Sequence, residues 1–196
     1  MKINNLLFFT FLSSLGGLLL RIYSLGFFEF KADQAKAVLA ARHVYENSFL
    51  VSHGMMSGVG LPNPPGFYLF MGLFSIFGDS PVYFASVFLL FSCLFPLVTY
   101  LMLRRNLDQE TLLVTVILLA LSPMLIVFSC NIWAQCMIPL FSLFVIWTLI
   151  RFIEKKQDVY WIMAVAAAML AGSIHLSGMF LLPVIAFTIL KRILRH

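Results

Sequence analysis

The residues able to do chemistry gather in one place. Between two apolar stretches, positions 29–65 hold an Asp33-Gln34 pair, a short amphipathic segment, a glycine-rich turn and an Asn63-Pro64-Pro65 run. Carboxylates can move protons, and amides can hold polar ligands. Charge kept beside a membrane is costly and therefore marks function. This polar island reads as the active-site loop of a membrane enzyme, and the rest of the chain must hold it at the membrane surface.

The chain is 62% hydrophobic and 11% charged, with 21 Phe and 10 Met among its 196 residues. Its mean hydropathy is +1.00. So little charge cannot cover a globular surface, which excludes a soluble domain and defines a polytopic membrane protein. The net charge of +5 does not point to nucleic acid, because Lys and Arg sit in short clusters at the ends of apolar runs, where they set topology. Cys93, Cys130 and Cys136 are an odd number in apolar settings, without the paired spacing of a metal site, and read as packing residues. No metal site and no cofactor are expected from these residues, although a divalent metal stays open. Lys2 and the apolar run that follows lack a convincing small-residue cleavage site, so the run is expected to be the first span.

The apolar runs are 6–28, 67–77, 82–103, 112–128, 137–150, 160–171 and 179–190. A span needs about 20 residues to cross roughly 30 Å of hydrocarbon. Residues 65–78 would reach only about 21 Å as a helix, so this segment reads as re-entrant or interfacial. With it uncrossed, Lys2, Arg104, Arg105, Arg151, Lys155, Lys156, Lys191, Arg192 and Arg195 all fall on the cytoplasmic side, nine of the thirteen basic residues. If it crossed, every one after Lys2 would move outside. The expected fold is an all-α polytopic membrane protein with about six transmembrane helices, both termini cytoplasmic, a single module over 1–196 and an outer loop over 27–80. The island and the junctions 129–135 and 172–178 then share the outer face, and the cytoplasmic connectors 104–110 and 151–158 are short.

Within the island, residues 32–48 read as a surface helix, with Ala37, Val38, Ala41, Val44 and Tyr45 on one face and Asp33, Lys36, His43 and Asn47 towards the other. Asp33 opens that helix, and a helix N-cap is one account of it. A glycine-punctuated loop over 53–60 follows. The prolines of 61–68 force extended backbone, so the loop could fold over a site as a rigid lid.

These pieces, in this order, resemble a known family. Arg21 near the end of the first span, Asp33-Gln34-Ala35, Ala41-Arg42, the Gly and Ser loop over 54–60, Pro64-Pro65-Gly66-Phe67-Tyr68, Phe128-Ser129-Cys130-Asn131-Ile132-Trp133 and Ile174-His175-Leu176-Ser177 together look like the GT-C membrane glycosyltransferases. More narrowly, the chain is similar to the family 39 group of protein mannosyltransferases and aminoarabinose transferases. The resemblance implies a GT-C-like fold and transfer of a sugar from a polyprenyl-phosphate-linked donor to a lipid, glycan or protein acceptor on the outer face. It implies Asp33 as the catalytic carboxylate, taking the acceptor's proton as its oxygen attacks the anomeric carbon.

Weaker candidates for substrate binding surround it. Arg21 has two readings, pairing with a lipid phosphate or with Glu29, and snorkelling from the span end. Glu29 is a second acid or a loop ion pair. Asn63 belongs to the proline run of the island. Asn131 and Gln135, read as one turn apart, could hydrogen-bond sugar hydroxyls or cap the following span. His175, in a Ser-flanked turn, could contact phosphate or serve the structure alone. Many relatives carry Asp-Glu where this chain has Asp33-Gln34. The chain also stops at His196, where the family continues with further spans, so the expectation is an amino-terminal half: a fragment, a subunit completed by a partner, or a degenerate copy. The rival reading is a non-catalytic membrane protein that only binds polyprenyl lipid.

Overall fold

The computed structural model of the chain describes residues 3–194 apart from 49 and 59. Lys2 and Arg195 of the basic count and Val59 of the glycine loop lie outside the described residues. Nine α-helices carry the described chain: α1 (Ile3–Leu25), α2 (Ala32–Glu46), α3 (Gly66–Phe74), α4 (Pro81–Leu103), α5 (Gln109–Leu121), α6 (Pro123–Val127), α7 (Ile138–Lys155), α8 (Asp158–Ile174) and α9 (Leu181–Ile193). No strand occurs among the described residues beyond an isolated bridge between Met56 and Pro62. Large apolar side chains stand outward along the helices, Phe11 at 68% and Phe187 at 67% exposure, as a lipid-facing surface requires.

By length and apolarity, three helices can cross a membrane, Leu7–Leu25, Pro81–Leu103 and Ala134–Lys155. A fourth span exists if Gln109–Leu121 and Pro123–Cys130, bent by 44°, count as one. Among the described residues the expected six spans are therefore not shown. At about 1.5 Å per residue, the 17 residues of α8 extend about 26 Å and the 13 of α9 about 20 Å, short of a ~30 Å core. Helix α3, with nine residues, extends about 14 Å and cannot cross, in line with the reading of 65–78.

The chain divides into two compact units, residues 1–38 with 78–136 and residues 39–77 with 137–196, the first boundary falling inside α2. In the first unit α1, α4 and α5 pack together. Gly17 of α1 meets Ala120 of α5, and Ser24 reaches the carbonyl of Ile126, so α1 runs alongside the bent α5–α6 pair in the same direction. The connector after α4 turns the chain back through a cluster of Tyr100, Leu112 and Val116. At the other end, Ala85, Leu89 and Cys130 pack with Leu18, Leu25 and Phe28. That end carries both the start of the polar island and the junction after α6.

In the second unit α7 and α8 form an antiparallel pair over Val145, Leu149, Ala164, Ala167 and Ala168, closed by Ile185 of α9. Alanines let the two backbones approach closely, the packing mode expected where lipid leaves no hydrophobic drive between helices. Lys156 ends α7 in the left-handed conformation, φ 56°. Gly66 lets the start of α3 sit against α8, because a Cβ there would lie 2.5 Å from the Ser173 carbonyl oxygen.

Candidate active site

Helix α2 presents its expected stripe, with Ala37, Val38, Ala41 and Val44 buried. Two details differ. The helix ends at Glu46, and Tyr45 is 47% exposed, because the buried stripe runs through Gln34 and Ala37 and passes Tyr45 by. The start of α2 also corrects the N-cap account of Asp33. The first helical bond runs from the Ala35 N–H to the Lys31 carbonyl, so Lys31 is the cap position and Asp33 lies inside the first turn. The buried Gln34 side chain closes the end, its Oε1 accepting from the Lys31 N–H at 2.7 Å. This is the reciprocal half of a capping box. The Asp33 carboxylate is exposed, and among the described residues its one partner is Lys36 Nζ at 3.9 Å. Glu29 pairs with Lys31, both exposed.

Arg21 neither snorkels nor pairs with Glu29: it is 1% exposed, and Glu29 is engaged elsewhere. Its guanidinium donates through Nη1 to the Ala120 carbonyl at 2.6 Å and the Gly17 carbonyl at 3.1 Å, through Nη2 to the Leu119 carbonyl at 3.0 Å and through Nε to Ser92 Oγ at 3.0 Å. The cause lies in α5. Ser122 before Pro123 takes an extended ψ of 121°, and Pro123 has no N–H to offer the Leu119 carbonyl. The break leaves carbonyls without partners where no water reaches, and the buried cation supplies the missing donors at a helix C-terminus, where positive charge is favoured. Gly17 makes the approach possible, since a Cβ there would stand 2.4 Å from the Ala120 carbonyl oxygen. The run 112–128 reads as continuous by apolarity, and the Ser122-Pro123 pair was the signal of its break.

The bent pair delivers the junction 128–136. Asn131 is extended, φ −76° and ψ 128°, between the 3₁₀ turns Phe128–Cys130 and Ala134–Met137. Asn131 and Gln135 are therefore not one α-helical turn apart, and neither caps α7, whose N-cap is Met137. The Asn131 side chain is half-buried with no hydrogen bond among the described residues, and Gln135 is exposed.

In the second unit Asn63 and His175 belong to one knot of hydrogen bonds. Asn63 is 6% exposed. Its Oδ1 accepts from the Leu176 N–H at 3.1 Å and its Nδ2 donates to the Met55 carbonyl at 2.8 Å. The loop over 54–63 closes through the Gly54 N–H to the Asn63 carbonyl and the Ser57 N–H to the Leu61 carbonyl, which makes it a hairpin-like turn. His175 caps the 3₁₀ turn Leu176–Phe180, its Nδ1 accepting from the Ser177 N–H at 3.1 Å and lying 2.8 Å from Ser177 Oγ. Burial holds the His175 imidazole below its ordinary pKa. Among the described residues no three His, Cys, Asp or Glu side chains converge on a metal position.

Apolar spans, a charged helix start outside the spans and polar inter-helix junctions define an integral membrane protein. Residues 62–196 match the family described as dolichyl-phosphate-mannose-protein mannosyltransferase, and the chain belongs to that family of GT-C membrane glycosyltransferases. No match was found among curated proteins or among solved structures. The family match takes in Asn63, Asn131, Gln135 and His175, while Arg21, Glu29 and Asp33 precede it.

Proposed function

We propose that the protein transfers a sugar from a polyprenyl-phosphate-linked donor to an acceptor on the outer face of the membrane, with Asp33 as general base. The family match over 62–196 carries the reaction class. The assignment of Asp33 rests on its exposed carboxylate, which caps nothing and keeps only a long ion pair to Lys36. In the proposed step the acceptor oxygen bonds the anomeric carbon as its proton passes to Asp33. The bond from that carbon to the carrier phosphate breaks, and polyprenyl phosphate leaves with the electron pair. Asn131 and Gln135 hold sugar hydroxyls, and Arg21 acts at a distance by fixing the bent span that leads to them. The basic residues of the connectors 104–110 and 151–158 support an outer placement of this chemistry through the positive-inside rule.

The test is transfer of labelled sugar from a polyprenyl-phosphate donor in membranes carrying the wild-type chain and Asp33→Asn. Transfer by the wild type and its loss in Asp33→Asn, at equal protein level, is the expected result. Full transfer by Asp33→Asn would remove Asp33 as base. Absence of transfer by the wild type from any polyprenyl-phosphate sugar would remove the reaction.

A further inference from the structure

We infer that the groove between α7 and α8 binds one anionic glycerophospholipid, with an acyl chain lying in the groove and the phosphate at Lys155. The groove has a volume of about 380 Å³ and is lined by Leu140, Phe141 and Phe144 of α7 and by Met163, Ala166 and Leu170 of α8. It exists because Ala166, exposed and short, leaves room between longer neighbours.

The groove continues into an aromatic collar and then into cations. Phe144 meets Trp147 at 5.8 Å between ring centroids, and Trp147 meets Tyr160 edge-on at 6.4 Å. Beyond the collar, the Arg151 guanidinium lies 5.7 Å from the Trp147 ring and Lys155 Nζ lies 5.7 Å from the Tyr160 ring. Trp and Tyr at this depth are what a membrane–water boundary selects. From Leu140 to Arg151 the helix rises about 17 Å, close to half of a ~30 Å hydrocarbon core. The stripe thus has the length and the polarity order of a lipid in one leaflet.

Charge decides the kind of lipid. At this end Arg151, Lys155, Lys156, Lys191 and Arg192 meet only Glu154 and Asp158 among the described residues of α7, α8 and α9, and Glu154 already pairs with Arg151 at 2.9 Å. Arg192 lies 4.1 Å over the Phe152 ring and donates to the Lys156 carbonyl at 3.3 Å, while its Nη1 is buried with no acceptor. Five cations facing two carboxylates at this end favour an anion, which a zwitterionic headgroup supplies poorly. The site stands at the opposite end of α8 from His175, about 22 Å along the helix, and does not depend on the sugar-transfer reading.

Native mass spectrometry of the purified full chain tests it, with phosphatidylglycerol, phosphatidylcholine of the same acyl chains, polyprenyl phosphate and inorganic phosphate as probes. The expected result is one retained phosphatidylglycerol, preferred over phosphatidylcholine. Lys155→Gln lowers that preference about fivefold, the equivalent of about 1 kcal/mol for one interfacial cation, and Lys155→Arg keeps it. Ala166→Phe fills the groove and abolishes retention of both phospholipids, with the melting temperature of the lipid-free protein unchanged. Equal retention of the two phospholipids, an unaltered preference in Lys155→Gln, or undiminished binding in Ala166→Phe would overturn the site. Inorganic phosphate releasing the lipid from an intact groove would reduce it to an anion contact, and preferential retention of polyprenyl phosphate would give the groove to a different lipid. Either outcome defeats the proposal.

Discussion

Two aspartates stand at the starts of helices in the first unit, and only one of them works as a cap. Asp108 precedes α5, and its Oδ1 accepts from the Glu110 and Thr111 N–H groups at 3.1 and 2.9 Å. A hydrogen bond from the Thr111 side chain foremost, and then these N–H groups, hold its carboxyl below the usual carboxylate range. Asp33 sits two positions deeper in α2, past the Lys31 cap, where Gln34 has already closed the helix end. The other end of α5 is closed too, by Arg21 on the carbonyls that Pro123 leaves without donors. Both ends of α5 are thus closed by side chains. At α2 the Asp33 carboxylate caps nothing and keeps a long ion pair to Lys36, which is the state the proposed base requires.

Substitutions at these positions break or sharpen the contrast. The largest effect is expected at Asp33→Asn, where sugar transfer falls by roughly 10²–10⁴-fold, the usual contribution of a general base, with no change in melting temperature. A fall in melting temperature there would return Asp33 to the company of Asp108.

Next comes Arg21→Met, which orphans the Leu119 and Ala120 carbonyls in a buried site and should cost roughly 2–4 kcal/mol in reversible unfolding in detergent. Arg21→Lys should recover only part of this, because an ammonium lacks the fork that reaches two carbonyls and Ser92 together. A stability equal to wild type in Arg21→Met would show that the broken span does not need its cation.

Asp108→Ala should lower the melting temperature and leave transfer untouched, while Asp108→Asn keeps both, since Asn caps a helix about as well as Asp. The pH sign follows from the lowered carboxyl. Its contribution is present above the ordinary Asp value of about 3.9 and is lost as pH falls through the lower folded-state value.

Smaller again is Gln34→Ala, expected to cost about 1 kcal/mol, confined to α2 and read as faster amide hydrogen exchange in its first turn. The smallest effect belongs to His175 in the second unit. Its pKa is depressed, so the stabilisation is complete above the ordinary value of about 6.5 and is lost as pH falls through the folded-state value. A protonated Nδ1 cannot accept from the Ser177 N–H, and exchange at residues 176–178 should quicken on acidification. His175→Gln should make that exchange indifferent to pH over the same range.

Much of the architecture was legible in residues alone. Apolar content without covering charge dictates a membrane protein, because exposed apolar surface needs lipid. The run 82–103 became α4 almost to the residue, since Ser80 and Pro81 mark its start and its apolar length fits a bilayer. The stripe Ala37, Val38, Ala41 and Val44 was written in a 3.6-residue period. The number of spans was less legible, because apolar runs do not show where a helix breaks or how short it stays.

What the sequence by itself determined is the inventory: helical class, apolar spans, an acid at the head of an amphipathic helix, and motifs that match a glycosyltransferase family. Tertiary structure alone decided which of these polar groups remain free. Arg21 is drawn into the protein by carbonyls about a hundred positions away, and Asn63 is bound to a turn 113 positions along the chain. Buried polar groups must find partners, and the partners nearest in space are not those nearest in sequence.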